Sequence, residues 1–226
     1  PLLYFAVALM DLIAPAGSID IPVMAGLNVA SALLIWRIGR EDYGSAAGYF
    51  SGLLFLVASV FVQGYFLFAE QFGVLFLLCA YISARKSNYA LAGLFVGLAV
   101  GFKQYAALAL IPLLYLMHAR GERRYHRLVL PAVAAVVGTF GILYLAYGME
   151  ATAAALHWTF SIGPGYLLDD GVPGIPNYRP TDPIGFAANL VGSVAMVLPT
   201  LVFAAGSAVK SGFRSPEERT LGLFVL

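Results

Sequence analysis

The stretch Tyr89–Met117, YALAGLFVGLAVGFKQYAALALIPLLYLM, decides the fold. At about 1.5 Å per residue it would build a single helix of roughly 43 Å, against a bilayer hydrocarbon core of about 30 Å. Lys103 and Gln104 lie near its middle. As one tilted helix it would hold a cation at membrane depth; as two short spans it would turn at Phe102–Tyr105. The flanking charges choose between them. Arg85 and Lys86 precede the stretch, and Arg120, Arg123, Arg124 and Arg127 follow it. The positive-inside bias therefore wants both ends on the cytoplasmic side. An even number of crossings follows, with Lys103 at the outer turn.

The same reading extends along the chain. Of 226 residues, 61% are hydrophobic and 11% charged, with a mean hydropathy of +0.84, which excludes an ordinary soluble domain. Apolar runs recur between short polar joints, so the expected fold is all-α, a polytopic integral membrane protein whose residues 1–226 form one transmembrane domain. About seven transmembrane helices are expected. They are Ile21–Trp36, Ala46–Phe66 after the polar turn GREDYG, Gln71–Ser83, the two arms of the Tyr89–Met117 hairpin, Leu128–Tyr147 and Phe186–Ala208. Residues 1–15, apolar but interrupted by Asp11, suit a helix lying at the interface. Residues 149–184 form an outer loop that opens on a short amphipathic helix, ATAAALHWTF, and continues through the Gly/Pro-rich GPGYLLDDGVPGIPNYRP.

With this topology every Lys and Arg other than Lys103 and Arg179 falls on the cytoplasmic side. The ends of the chain, Pro1 and the apolar Leu221–Leu226, read as those of a fragment, with a first helix and first outer loop expected before residue 1. The single Cys79 sits in an apolar run and reads as a small core residue, so neither a disulfide nor a zinc framework is expected. The basic joint GERRYHR (Gly121–Arg127) fixes topology and could touch anionic lipids; no nucleic-acid partner is expected.

Gly93, Gly97 and Gly101 recur every four residues, a flat stripe on which a neighbouring helix can pack closely. It leads up to Lys103. An ionisable group at the outer end of a membrane hairpin is a candidate for function, with phosphate as its natural counter-charge; the alternative is a lysine snorkelling to outer headgroups. Gln104 and Tyr105 offer an amide and a phenol to the same anion. Glu70, at the opposite outer turn near Gln63, Tyr65 and Gln71, could pair with Lys103, bind sugar hydroxyls, or mark where the chain meets water. His157 and Trp158 could stack on a sugar ring or anchor their helix at the interface. Asp169 and Asp170 could hold a divalent cation, although Asp-Asp-Gly in such a loop also reads as a turn. No cofactor is otherwise indicated.

The order of these features resembles the polytopic GT-C-type glycosyltransferases, in particular the branch of dolichyl-phosphate-mannose protein mannosyltransferases and aminoarabinose transferases. PLLYF at Pro1–Phe5, WRIGREDYG at Trp36–Gly44, the carboxylate Glu70, the GLA-x-x-x-K pattern of Gly97–Lys103 and the following Pro112 carry the resemblance, which covers most of the chain. It implies transfer of a sugar from a polyprenyl-phosphate or polyprenyl-diphosphate donor to a glycan, lipid or protein acceptor on the non-cytoplasmic face of a plasma or ER-type membrane. The catalytic carboxylate is then expected in the first outer loop, upstream of Pro1. Lys103, Gln104 and Tyr105 would bind the lipid phosphate, and Glu70, His157, Trp158, Asp169 and Asp170 the substrate. From another class, a secondary transporter or flippase would use Lys103 on a substrate pathway, but such folds usually carry paired broken helices and only one Gly-interrupted hairpin is present. A non-catalytic membrane scaffold of the same architecture is the third reading.

Overall fold

The computed structural model describes residues 2–14, 18–61 and 69–157, together with Pro216 and Thr220. Two units divide the chain, Pro1–Gly148 and Met149–Leu226. All regular elements among the described residues are helical: α1 (Leu2–Ile13), α2 (Asp20–Tyr43), α3 (Ser45–Phe61), α4 (Ala69–Arg85), α5 (Tyr89–Phe102), a 3-10 segment (Gln104–Ala109), α6 (Leu110–Ala119) and α7 (His126–His157). The helix α2 and the helix α7 are long and apolar enough to cross a membrane, and shorter apolar helices cover Ser45–Ser59, Tyr89–Phe102 and Gln104–Ala119. The expected span Phe186–Ala208 lies outside the described residues.

Helix boundaries follow local chemistry. The side chain of Asn88 accepts a hydrogen bond from the Leu91 amide at 3.2 Å and so starts α5, satisfying one of the amides a helix leaves free. The GREDYG segment departs from its expected reading as a turn: α2 runs on through Arg40, Glu41 and Asp42 to Tyr43, and only Gly44 breaks it, at φ 93°. The i, i+4 pair Arg37–Glu41 and the long-range pair Arg85–Asp42 hold these polar residues in helical conformation. A left-handed residue is then needed, and glycine supplies it without a Cβ penalty. In α7 the break falls at Gly148, at φ 80° and ψ −175°, one residue beyond the expected end of the Leu128–Tyr147 span.

The hairpin read in Tyr89–Met117 is present. α5 runs away from the end of α4 that carries Arg85 and finishes beside Glu70, at the start of α4. The chain then doubles back through the 3-10 segment and α6, and Arg120 just beyond α6 donates to the carbonyls of Ala84 and Arg85 at 3.0 and 2.9 Å. Lys103, extended at φ −143° and ψ 122°, is the residue at which the direction reverses.

Close approach of helices sets the core. A Cβ on Gly93 would meet the Leu128 carbonyl of α7, one on Gly97 the Ala132 carbonyl, and one on Gly101 the Leu2 side chain of α1 at 2.5 Å. The stripe therefore seats α5 backbone to backbone on α7 and brings the first residue of α1 against its far end. A second pair, Gly48 and Gly52 of α3, does the same against Ala32 and Trp36 of α2. Val96, Ala99, Leu113, Leu116, Met117 and Leu128 are fully buried around these seams. Leu33, Leu53, Ile111, Leu130, Val133 and Val137 point outward instead. An apolar exterior over helix seams built on small residues is the pattern of a protein dissolved in lipid.

Candidate functional site

At the reversal of the hairpin, Lys103 Nζ meets Glu70 Oε1 at 2.7 Å. Helix ends place both charges. Glu70 lies in the first turn of α4, where the free amides favour an anion, and Lys103 caps the C-terminus of α5, where the free carbonyls favour a cation. Their separation is set by the ring ladder beneath them. Phe72 of α4 and Phe102 of α5 stack with centroids 4.6 Å apart and planes 3° apart, and Phe76 lies against both Phe102 and Phe95. The residues immediately adjoining the two charges thus fix the register of the helices that carry them.

Neither member of the pair is withdrawn from its surroundings: the Lys103 side chain is 37% exposed and that of Glu70 41%. A pair this open is worth about 0–1 kcal/mol in water, too little to explain its place at the hairpin turn by stability alone. Two details give it further chemistry. The Tyr105 ring stands with its centroid 5.7 Å from Nζ, adding an aromatic face to the cation's surroundings. Glu70 Oε2 is shut off from solvent and has no hydrogen-bond partner among the described residues. A carboxylate oxygen without a partner keeps its capacity to accept from a hydroxyl donor.

Of the residues singled out in the sequence, the structure thus brings together Lys103, Glu70 and Tyr105. Gln104 is exposed on the 3-10 segment between them. His157 ends α7 as an exposed residue of the second unit, and Trp158, Asp169, Asp170, Gln63 and Tyr65 lie outside the described residues. Among the described residues no three of His, Cys, Asp and Glu come close enough to hold a metal ion. Sequence reading missed the Phe72–Phe102–Phe76 ladder, whose signal is an aromatic at each of two helix ends flanking opposite charges.

The family model for dolichyl-phosphate-mannose-protein mannosyltransferases matches residues 1–147. The chain belongs to that family. Members are integral membrane glycosyltransferases of the GT-C type that take sugars from polyprenyl-phosphate donors. The Lys103–Glu70 pair, the glycine stripe and the GERRYHR joint all lie inside the matched region, and His157 lies beyond it. No curated protein and no solved structure matches the chain.

Proposed function

We propose that Lys103 and Glu70 form the donor side of the active site of a glycosyltransferase, with Lys103 receiving the phosphate of a polyprenyl-phosphate-linked sugar. The observation that carries this reading is the half-open 2.7 Å ion pair in which Glu70 Oε2 has no hydrogen-bond partner among the described residues. In the resting enzyme Glu70 stands where the phosphate would sit. An arriving phosphate exchanges for it on Lys103, so the cation is never left bare at membrane depth. Glu70, released, accepts hydrogen bonds from the sugar through Oε1 and Oε2. As the bond between the anomeric carbon and the phosphate oxygen breaks, negative charge grows on the phosphate, and Lys103 stabilises it there. Gln104 and Tyr105 add an amide and a phenol to the same anion.

The resemblance implies that the acceptor loses its proton to a carboxylate of the first outer loop. The reading assigns no step to a metal. The charge distribution supports an orientation with Lys103 on the non-cytoplasmic side, a seven-span topology, and an interfacial role for α1, whose twelve residues reach about 18 Å. His157, Trp158, Asp169 and Asp170 in the outer loop would shape the acceptor side. The acceptor is a glycan, lipid or protein.

Lys103→Met in the full-length protein tests the assignment. Transfer from a polyprenyl-phosphate sugar should fall by at least about a hundredfold, with unchanged amounts of folded protein in the membrane. Turnover at the wild-type rate would remove Lys103 from the active site.

A further inference from the structure

The end of the bundle opposite Lys103 carries a second concentration of charge with a different character. Arg123 and Arg124 precede α7, Arg127 lies in its first turn, and all three are exposed. None of them makes an ion pair among the described residues, and the carboxylates at this end of the bundle have other partners. Glu41 binds Arg37 and Arg85, Asp42 binds Arg85, and Glu122 Oε1 accepts the backbone amide of Arg124 at 3.0 Å.

Helix electrostatics does not account for three guanidiniums at that place. The N-terminus of a helix presents free amides and a partial positive charge, so cations there are unfavourable and anions are drawn in. No acidic residue occupies the first turn of α7. Among the described residues none of the three guanidiniums is ion-paired, which leaves them open to an external anion. Its level in the bilayer is marked by the helix itself, because Leu130, Val133 and Val137, just beyond the arginines, are 51–63% exposed. An apolar outward face that begins one turn below a cluster of unpaired guanidiniums matches the step from acyl chain to headgroup in a phospholipid.

We infer that Arg123, Arg124 and Arg127, with the N-terminus of α7, bind the headgroup phosphate of an anionic phospholipid whose acyl chains lie along Leu130, Val133 and Val137. The guanidinium fork suits a phosphate diester, and the net negative charge of the headgroup separates an anionic lipid from a zwitterionic one. The surface is remote from the Lys103–Glu70 pair and does not depend on the role assigned to that pair.

The test is native mass spectrometry of the detergent-solubilised full-length protein, titrated with phosphatidylglycerol or phosphatidylcholine of matched chains. The wild-type protein should retain phosphatidylglycerol with roughly tenfold or greater preference. Arg123→Gln, Arg124→Gln, Arg127→Gln combined should weaken that retention on the order of a hundredfold, since each surface arginine contributes about fivefold. The corresponding triple Lys variant keeps the charge that sets topology and should recover most of the preference. Equal retention of the two lipids by the wild-type protein overturns the inference whatever the variants do. So does competition by free glycerol phosphate at the concentration at which the lipid binds, which would make the site a simple anion site without a lipid.

Discussion

The two ends of the helical bundle hold their charges in opposite ways. At one end Arg37, Glu41, Arg85 and Asp42 form a connected series of ion pairs, with Arg85 reaching two carboxylates and Asp42 only 8% exposed in its side chain. Arg120 adds hydrogen bonds to the last carbonyls of α4. At the other end Lys103 and Glu70 form a half-open ion pair at 2.7 Å. Glu41 and Arg85 each hold two partners, and with the Arg120 bonds this ties the C-terminal ends of α2, α4 and α6 together. The difference separates charges that hold the bundle from the pair proposed as the donor site.

Substitutions can break or sharpen that contrast. The largest effect on stability is expected from Asp42→Asn, which leaves the mostly buried Arg85 with a single, more exposed carboxylate. A loss of about 2 kcal/mol in unfolding from detergent is expected, somewhat below the range for a fully buried pair, and the turnover of the protein that remains folded should be unchanged. Next is Arg120→Gln, which removes two charge-assisted bonds to the end of α4 and should cost about 1.5 kcal/mol by the same measurement. At the opposite end Lys103→Met should reverse the pattern: under about 1 kcal/mol in stability, with the loss of transfer described above. A Lys103 variant that unfolds like Asp42→Asn would erase the distinction between the two ends.

The smallest effect is expected at Arg37. Arg37→Gln breaks an exposed i, i+4 pair and should cost about 0.3–0.5 kcal/mol. The Arg37 hydrogen bond to Glu41, opposed by slight burial and aided by the fields of Arg37, Arg85 and Arg40, holds the Glu41 carboxyl below its ordinary value. A depressed carboxyl stabilises the folded protein above its unfolded value, and that contribution disappears as pH falls through the folded one. The wild-type protein should therefore lose more stability than Arg37→Gln between about pH 5 and pH 3, read as converging unfolding curves.

The sequence made the hairpin legible because length and charge are both local properties. A 29-residue apolar stretch flanked by cations could not cross once, and Lys103 is the residue at which it turns. The glycine stripe was also readable as a packing face. Its partner was not, although Leu128, Ala132 and Thr139 of α7 recur at helical spacing opposite it, since periodicity names a face without naming what meets it. Glu70 as partner of Lys103 stood among several open readings, and only the antiparallel pairing of α4 with α5 selects it. The network of Asp42, Arg85 and Arg120 was illegible, because its members lie more than thirty residues apart and no pattern links them. The polar run that looked like a turn stayed helical for the same reason: its stabilising partner came from another helix.

The contact of Gly93 and Gly97 with the carbonyls of α7 carries a consequence for how this sequence can drift. Even an alanine methyl at either position would overlap a neighbouring backbone oxygen, which cannot rotate aside as a side chain can. Leu94, one residue on and 40% exposed, faces no such limit and can exchange with other apolar residues. Inheritance along α5 should therefore be written in two alphabets: a single permitted letter on the face toward α7, and a broad apolar set on the face toward lipid. The position of Lys103 at the end of α5 is anchored to the face with no synonyms.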